Sequence, residues 1–192
     1  ILRDIMIENR VVPRDKPLIT IIGGSQGAHK LNYLLQAIWA ELLETFTLVH
    51  LCGVGDYEDL VQKSEALLLG SRHRLYLAPF SGDIPELFAL STVIVSRSGG
   101  TIFEIAAARK PSVLLPLSTA AQNHQAANAD LLEKAGAALV FDEREVTPDE
   151  LLAAIQVLLR SPQRRNELRD NIARFDHPQA AQQIAQTILA EI

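Results

Sequence analysis

Thr92-Val93-Ile94-Val95-Ser96-Arg97-Ser98-Gly99-Gly100-Thr101-Ile102-Phe103-Glu104-Ile105-Ala106-Ala107-Ala108 decides the reading of this chain. An apolar run, Thr92 to Val95, drives into a Ser/Gly turn, and the turn opens a helix with a carboxylate in its first turn. A strand that stops there presents backbone N–H groups at a helix N-terminus, where an anion is favoured. Glu104 repels a phosphate, so it suits a neutral pair of hydroxyls such as a ribose diol. N–H groups and a carboxylate on one turn together point to a nucleotide. The plainer alternative is Ser98 as N-cap with Glu104 matching the helix dipole, together worth roughly 1 kcal/mol. That alternative leaves Gly99-Gly100 without a purpose.

The same rhythm extends in both directions. Leu18 to Ile22 is a short apolar run stopped by Gly23-Gly24, and a helix is predicted from about Ala28 to Leu43. Thr47 to Cys52 reads as the next strand, and Tyr57 to Leu69 as a helix capped by Gly70. Arg74 to Leu77 is a strand stopped at Pro79, followed by a short helix around Pro85 to Ala89. Beyond the deciding stretch come a strand at Ser112 to Leu115, a helix at Gln122 to Ala135 capped by Gly136, and a strand at Ala138 to Phe141. Thr147-Pro148-Asp149-Glu150 has the N-cap, N1 proline and N3 glutamate of a helix start. The remainder reads as helix with breaks at Ser161-Pro162 and His177-Pro178. Continuous apolar strands alternating with helices predict an α/β fold: a Rossmann-like parallel six-stranded sheet with helices on both faces. Ligands of such sheets bind beyond the carboxyl ends of the strands, where these loops converge.

Composition removes other classes. The chain has 192 residues, 48% of them hydrophobic, and a formal net charge of -5, which gives no reason to expect a nucleic-acid partner. A single cysteine, Cys52, excludes an internal disulfide and a thiolate metal cluster. No His/Asp/Glu pattern has metal-ligand spacing, and no apolar run approaches the roughly 20 residues of a membrane span. A first residue of Ile1 suggests a fragment or a processed product.

Three further loops carry polar groups. Gly23-Gly24-Ser25-Gln26-Gly27 lets backbone approach a phosphate or sugar, or is simply a tight strand–helix turn; it is neither a dinucleotide fingerprint nor a P-loop. Ala120 to Ala129 is rich in amides, which both donate and accept as sugar hydroxyls do. Within it, His124 reads as a solvated or structural histidine rather than as a base or ligand. Pro79-Phe80-Ser81-Gly82-Asp83-Ile84 offers backbone that could read a base edge, or forms a turn with Asp83 as N-cap. The arginines at 160, 164, 165 and 169 alternate with Glu167 and Asp170, the pattern of a solvated helix face.

Taken in order, Gly23-Gly24-Ser25-Gln26-Gly27-Ala28, Leu31-Asn32, Ser96-Arg97-Ser98-Gly99, Glu104-Ile105-Ala106-Ala107-Ala108, Pro111, Leu115-Pro116, Asn128-Ala129 and Leu132 to Ala138 resemble the MurG family of bacterial N-acetylglucosaminyltransferases, which make lipid II from lipid I. The resemblance is to the family's C-terminal half, the UDP-N-acetylglucosamine-binding domain of a GT-B fold. It implies that Arg3, Ser25 and Gln26 lie near the donor and that backbone around Ser81 and Ile84 faces the uracil. It further implies that Arg97, Ser98, Gly99, Gly100 and Thr101 form the diphosphate turn, that Glu104 holds the ribose, and that Gln125 meets the sugar together with His124. The chain departs from the family pattern in a Ser-Gly turn one residue shorter and in His124 where glutamine is common.

On that resemblance, residues 1–17 are the remnant of an interdomain linker, 18–175 the donor domain and 176–192 a helix packing on an absent N-terminal domain. The implied reaction is inverting transfer of N-acetylglucosamine to a lipid-linked acceptor in peptidoglycan synthesis. No cofactor or metal is expected. The general base, the acceptor site and any membrane association belong to the absent half, and the full protein is expected in the cytoplasm at the inner face of the membrane. The fragment alone should be inactive. Three alternatives are the donor subunit of a split two-chain transferase, half of a UDP-N-acetylglucosamine epimerase, and a nicotinamide-binding Rossmann domain, against which the Gly-Gly-Ser-Gln-Gly loop and the missing strand-end acid argue.

Overall fold

The computed structural model describes residues 5–8, 10–24, 28–117 and 123–190. Its centre is a six-stranded parallel sheet made from β3 (Leu18–Ile22), β4 (Thr47–Leu51), β5 (Leu75–Ala78), β6 (Val93–Ser96), β7 (Ser112–Leu114) and β8 (Leu139–Val140). The spatial order is β5-β4-β3-β6-β7-β8, the doubly wound order in which the chain reverses direction across the sheet between β3 and β6. The register aligns Ile21 with His50 on one side and with Val95 on the other.

Side chains alternate between two cores, as the pleat requires. Ile19, Ile21, Leu48, Val93 and Val95 pack on one face against α1 (His29–Gln36), α2 (Trp39–Leu43), α3 (Val54–Ser64) and α8 (Pro148–Arg160). Ile94 and Leu114 pack on the other face against α5 (Ile84–Leu90), α6 (Thr101–Ala108) and α7 (Asn123–Lys134). A small antiparallel hairpin, β1 (Met6–Ile7) with β2 (Arg10–Val11), extends that second face: Ile5, Ile7 and Val12 are buried with Val49, Leu51 and Tyr76. Arg10 fastens it, stacking on the Tyr76 ring at 4.3 Å and donating to the Leu75 carbonyl at 3.1 Å.

Two helical expectations are corrected. The single helix predicted over 28–43 is broken at Ala37–Ile38. The Ile38 N–H bonds to Leu35 rather than four residues back, which turns both Ile38 and Trp39 into the core. The helix predicted from Tyr57 to Leu69 starts at Val54, directly after Gly53 at φ 80, and ends at Ser64. There the Ser64 hydroxyl donates to the Val61 carbonyl and competes with helix continuation. Gly70 therefore caps nothing; it lies inside a separate short helix, α4 (Leu69–Arg72).

The predicted start at Thr147 forms a complete capping box. Thr147 Oγ1 accepts from the Glu150 N–H at 3.3 Å, and the Glu150 carboxylate accepts from the Thr147 N–H at 2.9 Å. We expect Thr147→Ala to cost ~1 kcal/mol in urea denaturation. No measurable loss would mean that burial of Leu151, Ile155 and Leu158 alone holds α8. The chain continues as α9 (Pro162–Ile172), a single 3-10 turn at Ala173–Phe175, and α10 (Ala180–Ala190).

Candidate functional site

The reversal between β3 and β6 opens a crevice at the carboxyl end of the sheet, and a cleft of about 220 Å³ occupies it. Ile22, Leu51, Pro79, Phe80 and Ile84 give it an apolar lining, while Gly24, Ser81 and Thr101 bring polar backbone and hydroxyls to its edge. Each lining residue lies at or just after a strand end, or at the start of the following helix. Phe80 is 72% exposed, so its ring stands over the opening with little of its surface in the protein.

Thr101 opens α6. Gly100 is the N-cap in αR conformation, and no side chain caps this helix. Ser98, which suits the N-cap in sequence, is fully buried, and its hydroxyl donates to the Gln125 carbonyl at 2.7 Å. The Ile102 and Phe103 N–H groups bond the Gly99 and Gly100 carbonyls at 3.2 and 3.1 Å, and among the described residues no side chain caps the Gly100 and Thr101 N–H groups beside the cleft, where the positive end of the helix dipole lies. Glu104 is exposed and follows Thr101 by three residues, on the same side of the helix.

The turn is pinned to α7. Asn128 Nδ2 donates to the Ser98 carbonyl at 3.0 Å, and Gln125 Oε1 accepts from the Leu117 N–H at 3.0 Å. Gln125 Nε2 lies 3.8 Å from where a Cβ on Gly99 would stand. His124 is exposed next to it. Ser81 accepts from the Asp83 N–H at 3.1 Å; Asp83 occupies the N-cap position of α5, but its side chain makes no capping bond.

The fold therefore brings Ser81, Ile84, Gly99, Gly100, Thr101, Glu104, His124 and Gln125 to one rim, with Ser98 beneath it. Arg97 is different, and its assignment to the diphosphate turn is corrected. Its guanidinium points under the turn, ion-paired with the Glu143 carboxylate and donating to the Leu115 carbonyl at 2.9 Å; the two side chains are 9% and 6% exposed. Arg3, Ser25 and Gln26 lie outside the described residues. Among the described residues no group of three His, Cys, Asp or Glu could hold a metal ion, and no helix is long and apolar enough to cross a membrane.

Sequence reasoning missed two things here. The first is Glu143, a carboxylate in an unremarkable Asp-Glu-Arg-Glu run, for which no local signal existed. The second is Asn32, which is fully buried between Leu31 and Leu35 on α1. It donates to the Cys52 carbonyl at 2.8 Å and to Asp56 at 2.7 Å, and accepts from His50 Nε2 at 2.9 Å. Asp56, in the first turn of α3, joins this network and also meets His29 Nδ1 at 2.8 Å. An asparagine on the apolar face of a helix was the available clue.

Residues 18–184 match the glycosyltransferase family 28 C-terminal domain. A UDP-N-acetylglucosamine--N-acetylmuramyl-(pentapeptide) pyrophosphoryl-undecaprenol N-acetylglucosamine transferase of Thermoanaerobacter sp. (strain X514) is 32% identical over 175 residues, covering 91% of this chain and 48% of that protein. Its counterpart in Anaeromyxobacter sp. (strain Fw109-5) is 35% identical over 191 residues, covering 96% and 49%. The crystal structure of Acinetobacter baumannii MurG superposes with a TM-score of 0.78 at 29% identity, over 92% of this chain and 50% of that one. The chain spans about half the length of the curated relatives it matches.

Proposed function

The chain belongs to glycosyltransferase family 28, matching its C-terminal domain over residues 18–184, and from that membership we propose that it is the UDP-N-acetylglucosamine-binding half of an enzyme that glycosylates a lipid-linked muramoyl-pentapeptide. The observation that carries this reading is the juxtaposition of an apolar cleft, an uncapped helix N-terminus and a first-turn carboxylate within one loop cluster. A uracil ring is flat and largely apolar, with polar edges. The lining from Ile22, Leu51, Pro79, Phe80 and Ile84 fits its faces, and backbone at Ser81 fits an edge. The diphosphate then falls at the N-terminus of α6, and Glu104 accepts from the ribose hydroxyls.

In transfer, negative charge builds on the departing diphosphate as the glycosidic bond breaks. Fixed N–H groups and the α6 dipole stabilise that charge without reorganising, which lowers the barrier rather than merely tightening the ground state. Gln125 and His124 stand where the sugar would emerge. The reading asks for no metal. It assigns the base that deprotonates the acceptor hydroxyl, and the membrane-facing surface, to residues outside this chain.

Calorimetric titration with UDP tests this. A carboxylate accepting from two hydroxyls contributes about 1.5–3 kcal/mol, so Glu104→Ala should weaken UDP at least ~10-fold with the melting temperature unchanged. UDP affinity equal in the two proteins, or NAD bound in preference to UDP, would refute the assignment.

A further inference from the structure

At the opposite end of the sheet, beneath the amino ends of β6 and β7, lies a second cleft of about 180 Å³. Its floor is Ser91, Thr92 and Pro111, and its walls carry Arg109, Lys110, Arg165 and Arg169. Among the described residues no carboxylate lines it, although the whole chain carries a net charge of -5. Two segments that the sequence keeps far apart meet here: the end of α6 with the strand that follows it, and α9.

Among the described residues only one of the four cations, Arg169, has a carboxylate partner. Arg165 is anchored, its Nη1 donating to the Leu158 and Leu159 carbonyls at 2.6 and 2.7 Å, and so closes the end of α8. Lys110 Nζ donates to the Ala89 carbonyl at 2.7 Å, which leaves two of its three N–H groups for a ligand. Arg169 meets only the exposed carboxylate of its neighbour Asp170, at 3.4 Å. The Arg109 N–H bonds to the Ala106 carbonyl at 3.0 Å, but its guanidinium has no hydrogen-bond or ion-pair partner among the described residues. Arg109 also sits at φ 51 and ψ 53, the left-handed conformation that a helix C-cap normally gives to glycine. The Lys110 ammonium is pushed below its ordinary pKa by burial and by the nearby Arg169 charge, so the cleft repels itself when empty.

We propose that this cleft is an oxyanion site for a phosphate-bearing ligand, gripped by Arg109, Lys110 and Arg169 and distinct from the nucleotide cleft. Its volume equals several waters at about 30 Å³ each, ample for a phosphate group. The phosphate could belong to a soluble molecule or to the headgroup of an anionic lipid, and the chemistry of recognition is the same. The inference stands on the charge and geometry of this pole alone and does not need the nucleotide reading.

The test is amide NMR of the 15N-labelled protein titrated with inorganic pyrophosphate, alongside sedimentation with vesicles of phosphatidylglycerol in phosphatidylcholine or of phosphatidylcholine alone. Residues 109, 110 and 165–169 should shift. Arg109→Gly keeps the left-handed backbone, so with Arg169→Gln it should weaken binding at least tenfold while thermal stability holds. Pyrophosphate binding without vesicle binding identifies a soluble ligand, and vesicle binding that needs phosphatidylglycerol and is lost in the double variant identifies a headgroup. The proposal fails if neither probe binds, if an adventitious ion only is captured with equal affinity by the double variant, or if shifts are confined to residues 23–24 and 98–101.

Discussion

Glu143→Ala is expected to destabilise the fold by ~3–5 kcal/mol, because it leaves the Arg97 guanidinium buried without its counter-charge. Arg97 retains only the Leu115 carbonyl, and water has little access at 9% side-chain exposure. The reciprocal variant, Arg97→Ala, strands the Glu143 carboxylate and should cost a similar amount. Replacing both, Arg97→Met with Glu143→Leu, removes two desolvated charges together, and most of the loss should return. That asymmetry between single and double variants is what distinguishes a buried pair from a surface one, for which all three changes stay near ~1 kcal/mol or less. Urea denaturation of the four proteins decides the matter; Glu143→Ala within about 1 kcal/mol of the parent would mean that the charge relaxes into solvent. Arg97 directly precedes the Ser98–Gly100 turn, and Leu115, whose carbonyl it holds, leads to Leu117, whose N–H holds Gln125. The single variants should therefore also loosen the rim, seen as lost amide protection at residues 98–101.

This pair marks the limit of what the sequence discloses. The strands were legible because a parallel sheet covered on both faces demands unbroken apolar runs, and Leu18–Ile22 and Val93–Val95 can satisfy nothing else. The rim was legible because each loop after a strand must lie at the same end of the sheet. What remained hidden depends on distance along the chain. Arg97 looks like a phosphate ligand beside a Ser/Gly turn until the loop after β8 returns across 46 residues to neutralise it. Arg165 and Arg169 look solvated among acidic neighbours until α9 lays them against Lys110. Ser98 looks like an N-cap until α7 supplies a carbonyl for its hydroxyl, which leaves α6 without a side-chain cap. The short division of 54–72 into two helices turns on one hydroxyl, Ser64, that no periodicity records.

Asn32→Ala should be nearly as damaging, at ~3–5 kcal/mol, for a different reason: it orphans three polar groups at once. The Nε2–H of His50, the Cys52 carbonyl and one Asp56 oxygen all lose their partner, and only Asp56 is near solvent. The network also fixes a tautomer. Both hydrogens of the Asn32 amide are committed to Cys52 and Asp56, so its oxygen must accept from His50, and His50 is the neutral Nε2–H form. Its Nδ1 is buried with no hydrogen-bond partner among the described residues, and its ring stands T-shaped to Trp39 with the centroids 5.6 Å apart. Burial lowers the His50 pKa to about 3, outweighing the Asp56 charge that pulls it upward. In the unfolded chain the same ring titrates near 6.5. Between these values the unfolded state binds a proton that the native state refuses. The stability contribution is thus complete above about pH 6.5, declines by ~1.4 kcal/mol per unit as pH falls through the window, and stops declining near pH 3. His50→Gln keeps an amide donor for Asn32 and should flatten that slope while remaining folded at neutral pH. Stability of the two proteins falling in parallel from pH 7 to 5 would mean that His50 binds its proton as readily in the native state as in the unfolded chain, and that burial does not hold it neutral. Because Asn32 joins α1 to the start of α3 and to the Cys52 carbonyl at the end of β4, this buried network also braces the side of the cleft that Leu51 lines.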